Sequence, residues 1–118
     1  MSEDGVFKLV RIFIGEDDRH EGKPLYEAIL VAARKAGLHG ATVLRGIAGF
    51  GASSVLHTTR ILRMSHDLPI VVELVDREHR IAPFIEQIEA MLDEADCGAL
   101  ITSEKAEVIR YEPRGRRG

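Results

Sequence analysis

A chain of 118 residues with 45% hydrophobic and 30% charged side chains has the composition of one globular domain, too rich in core-forming residues for a disordered segment. Its single cysteine, Cys97, excludes an internal disulfide framework and a multi-cysteine zinc site, and no apolar run approaches the ~18–20 residues of a membrane helix. Sixteen basic against nineteen acidic residues give a net charge of −3, which argues against nucleic-acid binding; with acids at the start where a signal peptide carries basic residues, a cytoplasmic single domain over residues 1–118 is expected.

In chain order, residues 6–14, VFKLVRIFI, are β-branched and aromatic and predict a strand. Its faces, Lys8, Val10, Ile12, Ile14 and Phe7, Leu9, Arg11, Phe13, are both mostly apolar, so both should be covered. The polar run GEDDRHEGK reads as a loop. Pro24 suits the first turn of a helix in which Leu25, Ile29, Ala32, Ala33 and Ala36 recur at helical spacing until Gly37 ends it. A strand from about Ala41 to Ala48 runs into the glycine-rich GIAGFGASS. An irregular stretch to Asp67 precedes a third strand, LPIVVELV. Asp76 is the expected N-cap of a second amphipathic helix carrying Ile81, Phe84, Ile85, Ile88, Met91, Leu92 and Ala95, with Pro83 within or near its first turn. GALIT and KAEVIRY predict two short closing strands, and residues 112–118 a flexible basic tail.

The order β-α-β-β-α-β, with a short extra strand, predicts a ferredoxin-like α+β fold with two helices on one face of an antiparallel sheet. The apolar second face then predicts an oligomer. Arg11, Arg45 and Glu73 interrupt the apolar strand patterns, and ion pairs at that interface would make their burial tolerable.

Charge is segregated. Between Glu27 and Asp67 there is no acid, while Arg34, Lys35, Arg45, Arg60 and Arg63 lie there beside His39, His57 and His66. Solvated side chains account for such a pattern by themselves. It also creates a local field able to concentrate an anion. Within it the G46-I-A-G49-F-G51 loop can turn backbone N–H groups toward a phosphate. It is neither a Walker A loop nor GxGxxG, and three glycines so spaced equally describe a bulge or hairpin bend.

The ordered run ATVLRGIAGFG, HTTRIL, LPIVVELVD and ITSEKAEVIRY resembles the PII-like signalling family, and residues 21–51 resemble its branch catalogued as domain of unknown function 190. The resemblance spans about residues 7–111. It implies a homotrimer that binds an adenine nucleotide in clefts between subunits, under the base of a long mobile loop, here residues 52–67. By that resemblance Gly49, Phe50 and Gly51 stand at the loop base, and Arg110 reaches phosphate from a neighbouring chain. Gly46 and Arg45 join them through their place on the entering strand. His57, Arg60 and Arg63 of the loop would face a protein partner, and a membrane transport protein is the partner class the family suggests.

Departures narrow the ligand. Where signalling relatives carry a lysine-rich loop that grips a triphosphate, this chain reads DEADCGALI, so AMP or ADP is expected ahead of ATP. Residues 52–67 hold no tyrosine to modify, and Glu112 replaces the last arginine of the VIRIR pattern.

Two other classes complete the expectations: a ligand-free interaction trimer, and a metal-binding trimer like the related CutA proteins. His20, His39, His57 and His66 lack a His-x-His or comparable spacing, so no metal ligand is assigned. Neither is a catalytic residue. Ser53 and Ser54 have no evident base, Cys97 lies among acids that raise a thiol pKa, and Glu73 suits an ion pair better than a general base.

Overall fold

The computed structural model describes residues 6–50 and 68–112. Strand β1 (Phe7–Gly15) ends in a small hairpin of β2 (Arg19–His20) and β3 (Lys23–Pro24), which leads into helix α1 (Leu25–Lys35). Then follow β4 (Ala41–Arg45), β5 (Pro69–Arg77), helix α2 (Glu78–Ala95) and β6 (Leu100–Ala106). The main sheet has the order β4-β5-β1-β6, antiparallel throughout. With helices crossing between β1 and β4 and between β5 and β6, this is the expected ferredoxin-like α+β arrangement.

Two-residue alternation sorts the strands. Val10, Ile12 and Ile14 of β1 and Ile70, Val72 and Leu74 of β5 point into the core. There they meet Leu25, Ile29, Ala32 and Ala33 of α1 and Ile81, Phe84, Ile88 and Leu92 of α2. The helical 3.6-residue period and the strand period of 2 thus converge on one buried layer.

Among the described residues, no helix covers the other face of the sheet. Its register aligns Leu44, Val71, Phe13 and Leu100 in one row across all four strands, and Thr42, Glu73, Arg11 and Thr102 in the next. Leu44, Val75 and Leu100 are exposed. At the centre Arg11 Nε donates to Glu73 Oε2 at 2.9 Å, with Glu104 3.7 Å from the same guanidinium. Arg11 and Glu73 therefore satisfy each other across adjacent strands of one chain.

Several boundaries differ from expectation for local reasons. The hairpin replaces the loop predicted over GEDDRHEGK. Pro24 is the N-cap of α1 rather than a first-turn residue. Helix α1 ends as expected at Gly37, whose φ of +81° serves a two-bond C-terminal cap: its N–H donates to Arg34 O, and that of Leu38 to Ala33 O. Strand β4 stops at Arg45, not Ala48: the Gly46 N–H still donates in register to Pro69 O at 2.7 Å, but Pro69 has no N–H to return the bond, and the ladder ends there. A single strand, β6, replaces the two predicted closing strands.

Asp76 is not the N-cap of α2. It extends the inward series Ile70, Val72, Leu74 on β5 and is 1% exposed. Arg77 caps the helix without a side-chain bond, and the N–H of Glu78 finds the carbonyl of Val6 at 2.8 Å. Pro83 falls inside α2, past its first turn, at the expense of one helical hydrogen bond.

Candidate functional site

The antiparallel register brings the end of β4 and the start of β5 beside the end of β1, forming the loop end of the sheet. Gly46 and Gly49 both close on the ring of Pro69. A Cβ at Gly46 would lie 2.8 Å from Pro69 Cγ, and one at Gly49, where φ is +150°, 3.2 Å from the same atom. The glycines thus have a packing duty: they let the backbone fold over the proline that starts β5. Beyond them Ile47 and Phe50 are exposed.

Arg45, at the same end, is paired. Its Nη2 lies 3.0 Å from Glu16 Oε2, and the Glu16 N–H is itself held by Leu68 O at 2.8 Å. The neighbouring turn adds Asp18, whose Oδ2 accepts the Gly15 N–H at 2.8 Å. Burial pushes the Cys97 thiol above its ordinary pKa, and the charges of Asp18 and Asp96 push it further in the same direction. The acidic character expected around Cys97 is therefore present, and it makes this thiol a poor nucleophile.

Arg110 lies elsewhere. The segment after β6 carries it to the opposite end of β4, where Phe7, His39, Thr42, Val75, Arg110 and Tyr111 help line a cavity of about 420 Å³. At ~3.4 Å per residue, the four steps along the chain from Thr42, which lines this cavity, to Gly46 span about 14 Å. Arg110 is exposed and pairs with Glu112 at 2.8 Å. His39 is more firmly held. Its ring stacks at a tilt on Tyr111, 5.1 Å between centroids, and its Nδ1 stands 3.4 Å from Asp76 Oδ2. Asp76 also accepts the N–H groups of His39 and Arg77, at 2.9 and 2.7 Å. The buried carboxylate so fixes one rim of the cavity.

Of the predicted site residues, Arg45, Gly46, Gly49 and Phe50 gather at the loop end. Arg110 is at the far end, and Arg11 and Glu73 lie between them on the open face. Gly51, His57, Arg60 and Arg63, with the tail from 113 onward, lie outside the described residues. The His39–Asp76–Tyr111 cluster was missed, although the alternation Ile70, Val72, Leu74 carried on to Asp76 points at it. The His20–Glu94 contact, 2.8 Å between Nε2 and Oε1, was missed as well; it depends on the unpredicted hairpin.

Comparison with known proteins agrees with this architecture. Residues 7–108 match the family model DUF190, described as Uncharacterized ACR, COG1993. A UPF0166 protein of Aquifex aeolicus (strain VF5) is 42% identical over 102 residues, covering 86% of this chain and 92% of its own. CPII, a nitrogen regulatory PII-like protein from Thiomonas intermedia K12 whose structure holds ADP, AMP and bicarbonate, superposes with a TM-score of 0.62 at 14% identity, over 91% of this chain and 97% of that one. A putative PII-like signaling protein from Thermus thermophilus superposes with a TM-score of 0.59 at 16% identity, over 89% and 91%. With a family model matched from residue 7 to residue 108, the chain belongs to the DUF190 family, and its fold is the one found in the PII-like proteins it superposes on.

Proposed function

We propose that this protein is a homotrimeric regulator that takes an adenine nucleotide, AMP or ADP ahead of ATP, between its subunits and passes the occupancy through residues 52–66 to a protein partner. The observation that carries the reading is the separation of the two predicted halves of the site. The glycine base and Arg110 stand at opposite ends of β4, beside a sheet face that no other described element covers and on which Leu44, Val75 and Leu100 are exposed. A second and third chain packed on that face would bring the Arg110 of one subunit toward the glycine base of another.

Chemistry favours fewer phosphates. Glu16 already occupies Arg45, and Asp18 adds negative charge in the adjoining turn, where it holds the Gly15 N–H. Each further phosphate charge would meet repulsion at close range. CPII, of the same fold, holds ADP and AMP. In this site Arg45 would exchange Glu16 for phosphate, Arg110 would supply a charge-assisted hydrogen bond, and the exposed ring of Phe50 would flank the base. Phosphate contacts would offset the entropy of ordering the loop, which is how occupancy becomes visible to a partner.

The test is native mass spectrometry of freshly purified protein, followed by calorimetric titration with AMP, ADP and ATP. Trimers that bind AMP or ADP more tightly than ATP, with Arg110→Ala weakening binding about tenfold or more, are expected. A monomer, or no adenylate affinity better than about 1 mM, would overturn the reading. A trimer without affinity for nucleotides would point instead to an interaction module acting on a partner such as a transport protein.

A further inference from the structure

The hairpin β2–β3 turns through Glu21 and Gly22, both at positive φ, 54° and 81°. A two-residue turn with this handedness ordinarily takes Asn, Asp or Gly at its first position. Here it takes glutamate, held in a backbone region that side chains disfavour. The turn places Glu21 beside His20, which packs against the end of α2 with its side chain only 12% exposed. One donor atom from each of His20, Glu21 and Glu94 lies within 4.8 Å of the other two.

A separate feature of α2 points the same way. Its last turn holds no basic residue, and Asp96 caps it at a φ of +55°. Asp93, Glu94 and Asp96 therefore crowd the end where the helix dipole is already negative, the end that a cation stabilises.

We propose that His20, Glu21 and Glu94 form a binding site for a divalent transition-metal ion of the zinc type. Two carboxylates and a neutral imidazole balance a dication. A mixed nitrogen and oxygen set suits Zn²⁺, whereas Mg²⁺ and Ca²⁺ prefer oxygen alone. Metal–ligand bonds of ~2.0–2.2 Å put tetrahedral donors roughly 3.3 Å apart, so His20 and Glu94 need part only slightly and Glu21 need approach only slightly. Three protein ligands leave a fourth position for water or an added ligand. The bound ion would staple the hairpin to the end of α2, next to the turn that carries Asp18 and to Cys97.

The experiment is calorimetric titration of chelator-treated, full-length protein with ZnCl₂, alongside thermal unfolding with and without the ion. The expected result is one Zn²⁺ per chain at micromolar affinity or tighter, on the order of 10⁻⁶ M. Loss of binding is expected in His20→Ala, and a loss of about tenfold or more in Glu94→Gln. Glu21→Gly separates ligation from architecture: it relieves the strained turn, so it should raise the unfolding midpoint of the metal-free protein while weakening Zn²⁺ about tenfold or more. Absence of stoichiometric binding tighter than about 1 mM in the wild type would overturn the proposal. So would unchanged affinity in the His20→Ala/Glu94→Gln double variant, which would place the ion on other histidines.

Discussion

Replacing Asp76 with asparagine removes one of two acceptors from a carboxylate that is 1% exposed. Oδ1 accepts the Arg77 N–H at 2.7 Å and Oδ2 the His39 N–H at 2.9 Å. An asparagine has one carbonyl oxygen, so whichever way the amide turns, one backbone N–H faces an NH₂ group. The lost bond to a charged acceptor, and the donor left without a partner, cost about 2–4 kcal/mol. Arg80 Nε, itself buried and without a hydrogen-bond partner, stands 3.9 Å from Oδ1, and loss of the facing charge acts in the same direction. Asp76→Ala leaves both N–H groups unpaired and opens a cavity, so it should cost roughly twice as much, a large share of the ~5–15 kcal/mol that holds a domain folded. The assay is urea unfolding at one fixed protein concentration, because association would otherwise enter the midpoint. With a slope of ~1–3 kcal/mol per molar, Asp76→Asn should lower the midpoint by about 1–2 M. If Asp76→Asn stays within about 0.5 kcal/mol of the wild type, or if alanine proves no worse than asparagine, the assigned hydrogen bonds are wrong.

Gly46→Ala should cost about 1–3 kcal/mol from the clash with Pro69 Cγ, and Pro69→Ala in the same chain should restore much of it, as measured by thermal unfolding of the four variants. Phe84→Ala, which empties a 2% exposed position between α2 and the sheet, should cost about 3–5 kcal/mol in the same assay. Cys97, its thiol pKa raised by burial and then by Asp18 and Asp96, should react with iodoacetamide more slowly than free cysteine near pH 8 and accelerate as pH rises. Asp96→Asn should speed that reaction at constant pH, since it removes a charge opposing the thiolate while asparagine keeps the left-handed cap; an unchanged rate would remove Asp96 from the causes. Leu100→Asp puts a charge on the open sheet face at a position 53% exposed in the single chain. It should leave circular dichroism intact while converting assemblies to monomers in native mass spectrometry, and a persistent oligomer would show that another surface holds the subunits together.

Much of the fold was legible along the chain because it rests on short-range periods. Apolar runs rich in β-branched residues marked β1 and β5, a 3.6-residue spacing marked α1 and α2, and Gly37 marked a helix end by its tolerance of positive φ. Asp76 was misread because a capping rule was applied to a residue that the strand period had already turned inward. The hairpin escaped because Glu-Gly is an uncommon partner for a turn with two positive φ values. The site was legible only in pieces: glycines and arginines could be named as phosphate-competent types, but not their neighbours.

The sequence by itself determined the order of the helices and of the main-sheet strands β1, β4 and β5, the apolar character of both sheet faces and the segregation of charge. Each is a property of residues near one another in the chain. Tertiary structure decided the rest. Antiparallel pairing of β4, β5 and β1 brought Arg45 against Glu16 and folded Gly46 and Gly49 onto Pro69, while the path after β6 carried Arg110 to the far end of β4. These contacts depend on strand register and on where the chain crosses the sheet, and register is set by the summed fit of the whole buried face rather than by any local pattern.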